Sequence, residues 1–295
     1  MSALAFGAFA LSSEKMGGAM TDGKLGTLTP FLKWAGGKRW FAQRFLQLIP
    51  NKFNRYIEPF LGSGAIFFAL RPQSAILSDL NSELIESYVS VREAPEVIEE
   101  LLSRYQVLHS KEHYYETRAN KPENQVERAA WLIYLNRTCW NGLYRVNLNN
   151  QFNVPIGTKS QVVLPTDDFH AISNALKQAH LIHQDFEKTL DMAADGDFVF
   201  IDPPYTVKHN LNGFLKYNDH IFSWTDQIRL RDAVARAASR GAMVLVTNAN
   251  HRSVSEIYEG VGGQTVLSRA SVLAASSAHR TNTEELMIRT WVEGA

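Results

Sequence analysis

The sequence has almost no cysteine: Cys139 is the only one in 295 residues. A single thiol excludes a disulfide scaffold and any multi-cysteine zinc site. There is no long apolar run either; nothing approaches the ~20 residues that a membrane-spanning helix needs. Net charge is also absent, with 30 Lys and Arg against 30 Asp and Glu, which excludes a uniformly basic coat for a polyanion. The nine histidines show no metal-ligand spacing. His109 and His113, four apart on a possible helix, read as surface residues, and no metal is expected. What remains is a chain that is 45% hydrophobic, enough for one large domain or two small ones around a sizeable core.

Acids are missing locally as well. Residues 31–57 carry Lys33, Lys38, Arg39, Arg44, Lys52 and Arg55 and no acid. Residues 129–166 carry Arg137, Arg145 and Lys159 with six Asn, again without an acid. In a neutral protein two such stretches suggest a polyanion-facing side, the alternative being two ordinary solvated faces. Residues 1–29 read as a flexible leader, rich in Gly, Ser and Thr over 12–29. No Lys or Arg precedes the apolar residues 3–11, which argues against a signal peptide. Met16 and Met20 offer later starts.

Apolar spacing predicts a helix over 40–48, a strand over 55–60, a helix over 65–70 and a strand from 74 to Asp79. Strand, helix and strand in so few residues make a βαβ unit of a parallel sheet. The rhythm then changes to one helix over 82–108, an amphipathic helix over 125–135 and a β-hairpin within 137–157, where Asn-Gly and Asn-Asn supply turns. This section reads as an insertion. Afterwards come a helix over 167–178, strands over 180–183 and 197–201, and a helix over 224–239. Ser223 would cap that helix and Gly241 end it. A strand over 243–247 and an antiparallel pair from 265–269 and 285–291 complete the pattern. No internal repeat is present.

Four motifs carry candidate chemistry. In Glu58-Pro59-Phe60-Leu61-Gly62-Ser63-Gly64 a strand meets a glycine turn and a helix. Glycines there allow close backbone approach to a ligand outside the strand ends, or make a plain turn. Asp79 ends the next strand, 17 residues after Gly62. Its carboxylate could accept from both hydroxyls of a ribose, or could cap the following helix. Asp202-Pro203-Pro204-Tyr205 follows the apolar strand 198–201 and is the most informative. The exocyclic amine of a nucleobase is a poor nucleophile because its lone pair is delocalised into the ring. Hydrogen bonds to the Asp202 carboxylate and to the Pro203 carbonyl, whose direction proline fixes in advance, would draw that nitrogen towards tetrahedral geometry and towards an activated methyl. Pro204 stiffens the same loop, and Tyr205 could stack on a base that has left its duplex. In Lys33-Trp34-Ala35-Gly36-Gly37-Lys38, Trp34 could cover a sulfonium or an adenine and Lys38 could pair with a carboxylate; alternatively this is a loop with a buried Trp.

These motifs and their order resemble the Dam family of DNA adenine-N6 methyltransferases over roughly residues 29–291. The matching pieces are FLKWAGGK (31–38), EPFLGSGA (58–65), SDLN (78–81), NRTCWNGLYRVNLNNQFNVPIG (136–157), HQDF (183–186) and DPPY (202–205). The resemblance implies an α/β fold, a Rossmann-like class I methyltransferase sheet with an inserted, mainly helical target-recognition domain carrying a β-hairpin. The catalytic domain would comprise 30–85 and 161–295 and the insert 86–160. It implies S-adenosylmethionine as methyl donor, contacted by Trp34, Lys38, Asp79, Gly62, Gly64, Asp185, Phe186 and Asp202. It implies double-stranded DNA as substrate, contacted by Arg137, Trp140, Asn141 and Arg145, with GATC the first expectation for the site. Trp140 stands where the family pattern leads one to expect Tyr. A cytoplasmic protein, monomeric or weakly dimeric and of bacterial or phage origin, is expected. A cytosine-N4 methyltransferase and a non-catalytic DNA-binding module are the alternatives. A nicotinamide enzyme is disfavoured because Phe67 occupies the place of the third fingerprint glycine. Cys139 follows Thr138 rather than a proline, which argues against a cysteine nucleophile.

Overall fold

The computed structural model describes residues 28–147, 149, 151–207, 222–270 and 282–292. The expected leader falls, but for its last two residues, outside the described residues. Seven strands form one sheet: β1 (Tyr56–Glu58), β2 (Ala75–Asp79), β3 (Ala179–His183), β4 (Phe198–Ile201), β5 (Met243–Ala249), β6 (Gly263–Ala270) and β7 (Asn282–Arg289), in the order β3-β2-β1-β4-β5-β7-β6. The first five in that order pair in parallel, and β7 runs antiparallel to both β5 and β6. This is the expected Rossmann-like α/β architecture. The order reverses beside β1, whose neighbours are β2 and β4, and open parallel sheets bind ligands at such a switch point, outside the carboxyl ends of the strands.

Strand side chains alternate between faces, so each strand feeds two cores. Tyr56, Ala75, Leu77, Phe198, Phe200, Leu245 and Met287 enter one, and Ile57, Ile76, Val199, Ile201, Val244, Val246 and Ile288 enter the other. Both faces are covered, which is why the central strand β4, Phe198–Ile201, is apolar without a break. The second core is closed by α8 (Phe186–Asp191) and α9 (Trp224–Ser239). Ser223 and Asp226 form a reciprocal capping box at the start of α9, which explains its predictable start.

The helical section lies between β2 and β3. It consists of α3 (Ser82–Glu93), α4 (Pro95–Leu108), α5 (Lys111–Ala119) and α6 (Gln125–Thr138), followed after a loop by α7 (Phe169–Leu176). The single helix expected over 82–108 is two. Pro95 has no N–H to continue the first, and it pushes Ala94 out of the helical region to φ −139°, ψ 54°. The same proline is well suited to begin α4. The expectation of an amphipathic helix over 125–135 also changes: from Ala129 onwards α6 is buried on every side. Ile98, Leu102, Tyr114 and Trp131 from this section share a core with one face of the sheet.

The helix expected over 40–48 shortens to α1 (Arg39–Arg44) and a 3-10 turn at Leu46–Leu48. α2 (Ala65–Leu70) keeps its expected bounds. Three short helices escaped the periodicity, α5, α8 and α10 (Arg252–Ile257). The hairpin expected within 137–157 is reduced to antiparallel bridges, Val146 with Phe152 and Cys139 with Ile156, and begins with a 3-10 turn at Trp140–Gly142.

Candidate active site

Glu58, Asp79 and Asp202 stand at the carboxyl ends of β1, β2 and β4, and Asp185 follows β3. The turn after β1 is shaped by Gly62 (φ 47°) and Gly64 (φ 61°), in left-handed conformations that suit glycine. A Cβ on Gly62 would come within 2.9 Å of Trp34 Cδ1, so the indole packs directly on the turn. The Asp79 carboxylate accepts from the Gly62 N–H (3.1 Å) and the Asn81 N–H (3.0 Å). Burial lifts its pKa above the usual aspartate range despite those bonds. Asn81, not Asp79, caps α3. Asp185 caps α8 through the Glu187 N–H (2.9 Å) and pairs through the same Oδ1 with Arg229 (3.0 Å). The buried Phe186 ring stacks on Phe60 at 5.4 Å, with the Arg229 guanidinium 4.9 Å from its centroid.

Beyond β4 the chain enters Asp202-Pro203-Pro204-Tyr205. Asp202 Oδ1 accepts from Lys38 Nζ (2.8 Å) and from the Thr247 hydroxyl of β5 (2.9 Å). Among the described residues its Oδ2 has no hydrogen-bond partner, and the side chain keeps 17% of its surface. Burial raises the Asp202 pKa, and the Lys38 ammonium opposes that rise. Lys38 is itself buried and also meets Glu285 of β7 (3.3 Å), the Gly36 carbonyl (3.1 Å) and the Tyr205 hydroxyl (3.0 Å). The Tyr205 hydroxyl in turn donates to Glu285 Oε2 (2.8 Å). Tyr205 was expected to offer its ring to a base; in the structure the Lys38 ammonium lies over that ring, 5.0 Å from its centroid, and the hydroxyl bonds inward to Glu285.

The loop carrying Trp34 and the turn carrying Trp140 are stapled together by Asn136, which is fully buried. Its Oδ1 accepts from the Lys33 N–H (2.8 Å), and its Nδ2 donates to the Lys33 carbonyl (2.9 Å) and the Gly142 carbonyl (3.0 Å). Trp34 also stacks on Tyr144, at 5.2 Å and 21°. Lys33 sits beside Lys159, and burial with that neighbour pushes its pKa down to about 8.

Of the four expected DNA contacts, three are on the surface. Trp140 is 52% exposed. Asn141 is exposed with φ 56°, a conformation that Asn tolerates better than most residues. Arg145 is exposed and held by Asn153 Oδ1 (2.8 Å). Arg137 corrects the expectation. It is buried, donates to both Asp167 oxygens (2.6 and 2.8 Å), and also reaches the Val162 and Phe31 carbonyls. An Arg at the end of a helix whose last turns are enclosed must find its acceptors inside. Burial lifts the Cys139 thiol to about 11, which keeps it protonated and unsuited to nucleophilic attack.

Glu285, Thr247 and Asn136 were not singled out from the sequence. Glu285 left one trace, an acid directly before the apolar Leu286-Met287-Ile288 of β7. Thr247 left none.

Residues 34–273 match the family described as D12 class N6 adenine-specific DNA methyltransferase. A type II methyltransferase of Lactococcus lactis subsp. cremoris is 41% identical over 241 residues, covering 79% of this chain and 85% of that protein. A type II methyltransferase of Methanocaldococcus jannaschii is 33% identical over 282 residues, covering 88% and 98%. A DNA adenine methylase of Haemophilus influenzae is 31% identical over 264 residues, covering 88% and 92%.

Proposed function

Since this chain belongs to the D12 class N6 adenine-specific DNA methyltransferases, we propose that it methylates adenine N6 in double-stranded DNA with S-adenosylmethionine as donor, taking the base out of the duplex into the Asp202 loop. The observation that carries this reading is the division of the Asp202 carboxylate. Lys38 and Thr247 hold Oδ1, while Oδ2 has no partner among the described residues. That leaves a fixed acceptor at the strand end, where an amine can be gripped and its lone pair freed. The Pro203 carbonyl is the second acceptor of the same amine, its direction pre-set by the ring.

The pocket residues suit the donor. S-adenosylmethionine, when bound, supplies a methyl group made electrophilic by its sulfonium. Asp79 retains acceptor capacity for ribose hydroxyls beyond its two amide bonds. Gly62 and Gly64 leave the turn without side chains, and Trp34 lies against it. Asp185 Oδ2, without a partner among the described residues, can accept from the donor's adenine amine. Phe186 supports that end of the pocket from within the core. Lys38 binds no donor atom in this reading; it holds Asp202. On the DNA side, Trp140 is the exposed wedge for the stack, Asn141 its neighbour on the turn, and Arg145 the reader of guanine O6 and N7.

GATC remains the site proposed. Short duplexes carrying GATC or each single-pair substitution test it together with the donor pocket. GATC should be methylated fastest, and Arg145→Ala should lose about 1–3 kcal/mol of discrimination at a guanine. Asp79→Ala should weaken donor binding by calorimetry while leaving DNA affinity intact. Equal rates on all duplexes would reject the site, and unchanged donor affinity would reject the pocket.

A further inference from the structure

Lys38 is one ammonium between two buried carboxylates. It lies 2.8 Å from Asp202 Oδ1 and 3.3 Å from Glu285 Oε2, and both Lys38 and Glu285 are almost wholly enclosed. Glu285 comes from β7, which runs antiparallel to the strands that carry the other site residues and pairs there with Ala249. The antiparallel return brings an acid into the site from the opposite chain direction. Its Oε2 also accepts from the Tyr205 hydroxyl, which in turn accepts from Lys38. The three groups close a ring of charge-assisted bonds beneath the Asp202 loop.

We propose that Glu285 is a positioning residue for methyl transfer, which shares the Lys38 ammonium and tethers Tyr205 so that Asp202 is held in place without being fully neutralised. This rests on the reading of Asp202 as the acceptor of the target amine. A carboxylate whose charge is spent on its own lysine is a weaker acceptor; dividing the lysine between two acids leaves Oδ2 of Asp202 more basic. The groups that face Asp202 from its surroundings are Lys38 from the loop before α1, Thr247 from β5, Glu285 from β7, Tyr205 from its own loop and, at longer range, Glu58 at the end of β1. The Glu285 charge raises the Asp202 pKa, while Lys38 and Thr247 lower it.

Glu285→Gln tests the idea, because an amide can still accept from Tyr205 but no longer competes for Lys38. The full-length enzyme is assayed on plasmid DNA free of adenine methylation, with S-adenosylmethionine carrying a labelled methyl, from pH 5 to pH 9. The expected result is a kcat lowered about tenfold, KM values for donor and DNA within twofold of wild type, and an acid limb of kcat moved to lower pH. The sign follows from charge: without Glu285 the Asp202 carboxyl loses its proton more readily, so activity persists further into acid. Glu285→Asp keeps the charge and should leave the acid limb at the wild-type position. A kcat and acid limb unchanged in Glu285→Gln would overturn the proposal, as would equal movement of the limb in both variants. Recovery of Glu285→Gln only as unfolded protein would assign the residue a structural role instead. A wild-type enzyme that labels no adenine would sink the reading of the site itself, whereas a labelling wild type beside an indistinguishable Gln variant sinks only the role of Glu285.

Discussion

Glu58 and Asp202 close neighbouring strands at the same edge of the sheet, yet they are carboxylates of different kinds. Asp202 faces an ammonium and keeps a window to solvent. Glu58 is buried, with the Tyr56 hydroxyl at 2.9 Å as its side-chain partner, and burial carries its pKa well above the ordinary 4.5. A folded pKa above the unfolded one means that the folded state binds the extra proton between the two values. Stability is then complete below about pH 4 and declines as pH rises through the folded pKa. Glu58→Gln removes that titration and preserves an acceptor for Tyr56. Thermal melts from pH 5 to pH 9 should show the variant gaining on wild type as pH rises; parallel curves would show that Glu58 ionises as readily in the folded protein as in the unfolded chain. Asp202, Asp79 and Lys38 were legible in the sequence because each ends or follows a strand or sits in a distinctive loop. Glu285 was not, because its meeting with Lys38 depends on the register of β7, which local pattern does not reveal.

Among the elements, α6 and the turn after it hold two functions close together. Arg137 lies in the last turn of the helix and Trp140 begins the turn, and the acid-free run around them suggested a polyanion-facing side. Burial separates them: Arg137 is bound to Asp167, and Trp140 stands in solvent. Arg137→Met should therefore cost about 3–5 kcal/mol of stability by leaving Asp167 without its partner, with site preference unchanged in the folded protein. An unaltered Tm combined with relaxed site preference would return Arg137 to the DNA face. Asn136, one residue earlier, joins the Trp34 loop to the Trp140 turn. Asn136→Ala leaves the Lys33 N–H and two carbonyls unmatched, a loss of about 1–3 kcal/mol. Because the loop and the turn are then free of each other, KM should rise for donor and DNA together; a rise in only one would separate them. Elements with a strong apolar period or a cap, such as α2 and α9, were readable to the residue. α5 was not, because few of its residues are apolar and its packing depends on α6. The hairpin was overread because turn residues were plentiful while the pairing strands are barely formed.

At the scale of the whole molecule, the strand order makes the site. With β1 between β2 and β4, the glycine turn, Asp79 and Asp202 converge, and the antiparallel β7 adds Glu285 to the same edge. The helical section shares its core with the sheet, so the turn carrying Trp140 is presented from a packed support. The measurement that reaches the centre of this picture uses S-adenosylmethionine with a deuterated methyl, duplex DNA free of adenine methylation, and mass spectrometry of the nucleosides after digestion. Wild type should place the label in N6-methyldeoxyadenosine. Asp202→Ala, folded to the same Tm, should place about a hundredfold less there, because the lost contact acts mainly in the transition state and each 1.36 kcal/mol is about tenfold in rate. Label in N4-methyldeoxycytidine, or equal labelling of adenine by both proteins, would contradict the role given to the Asp202 loop.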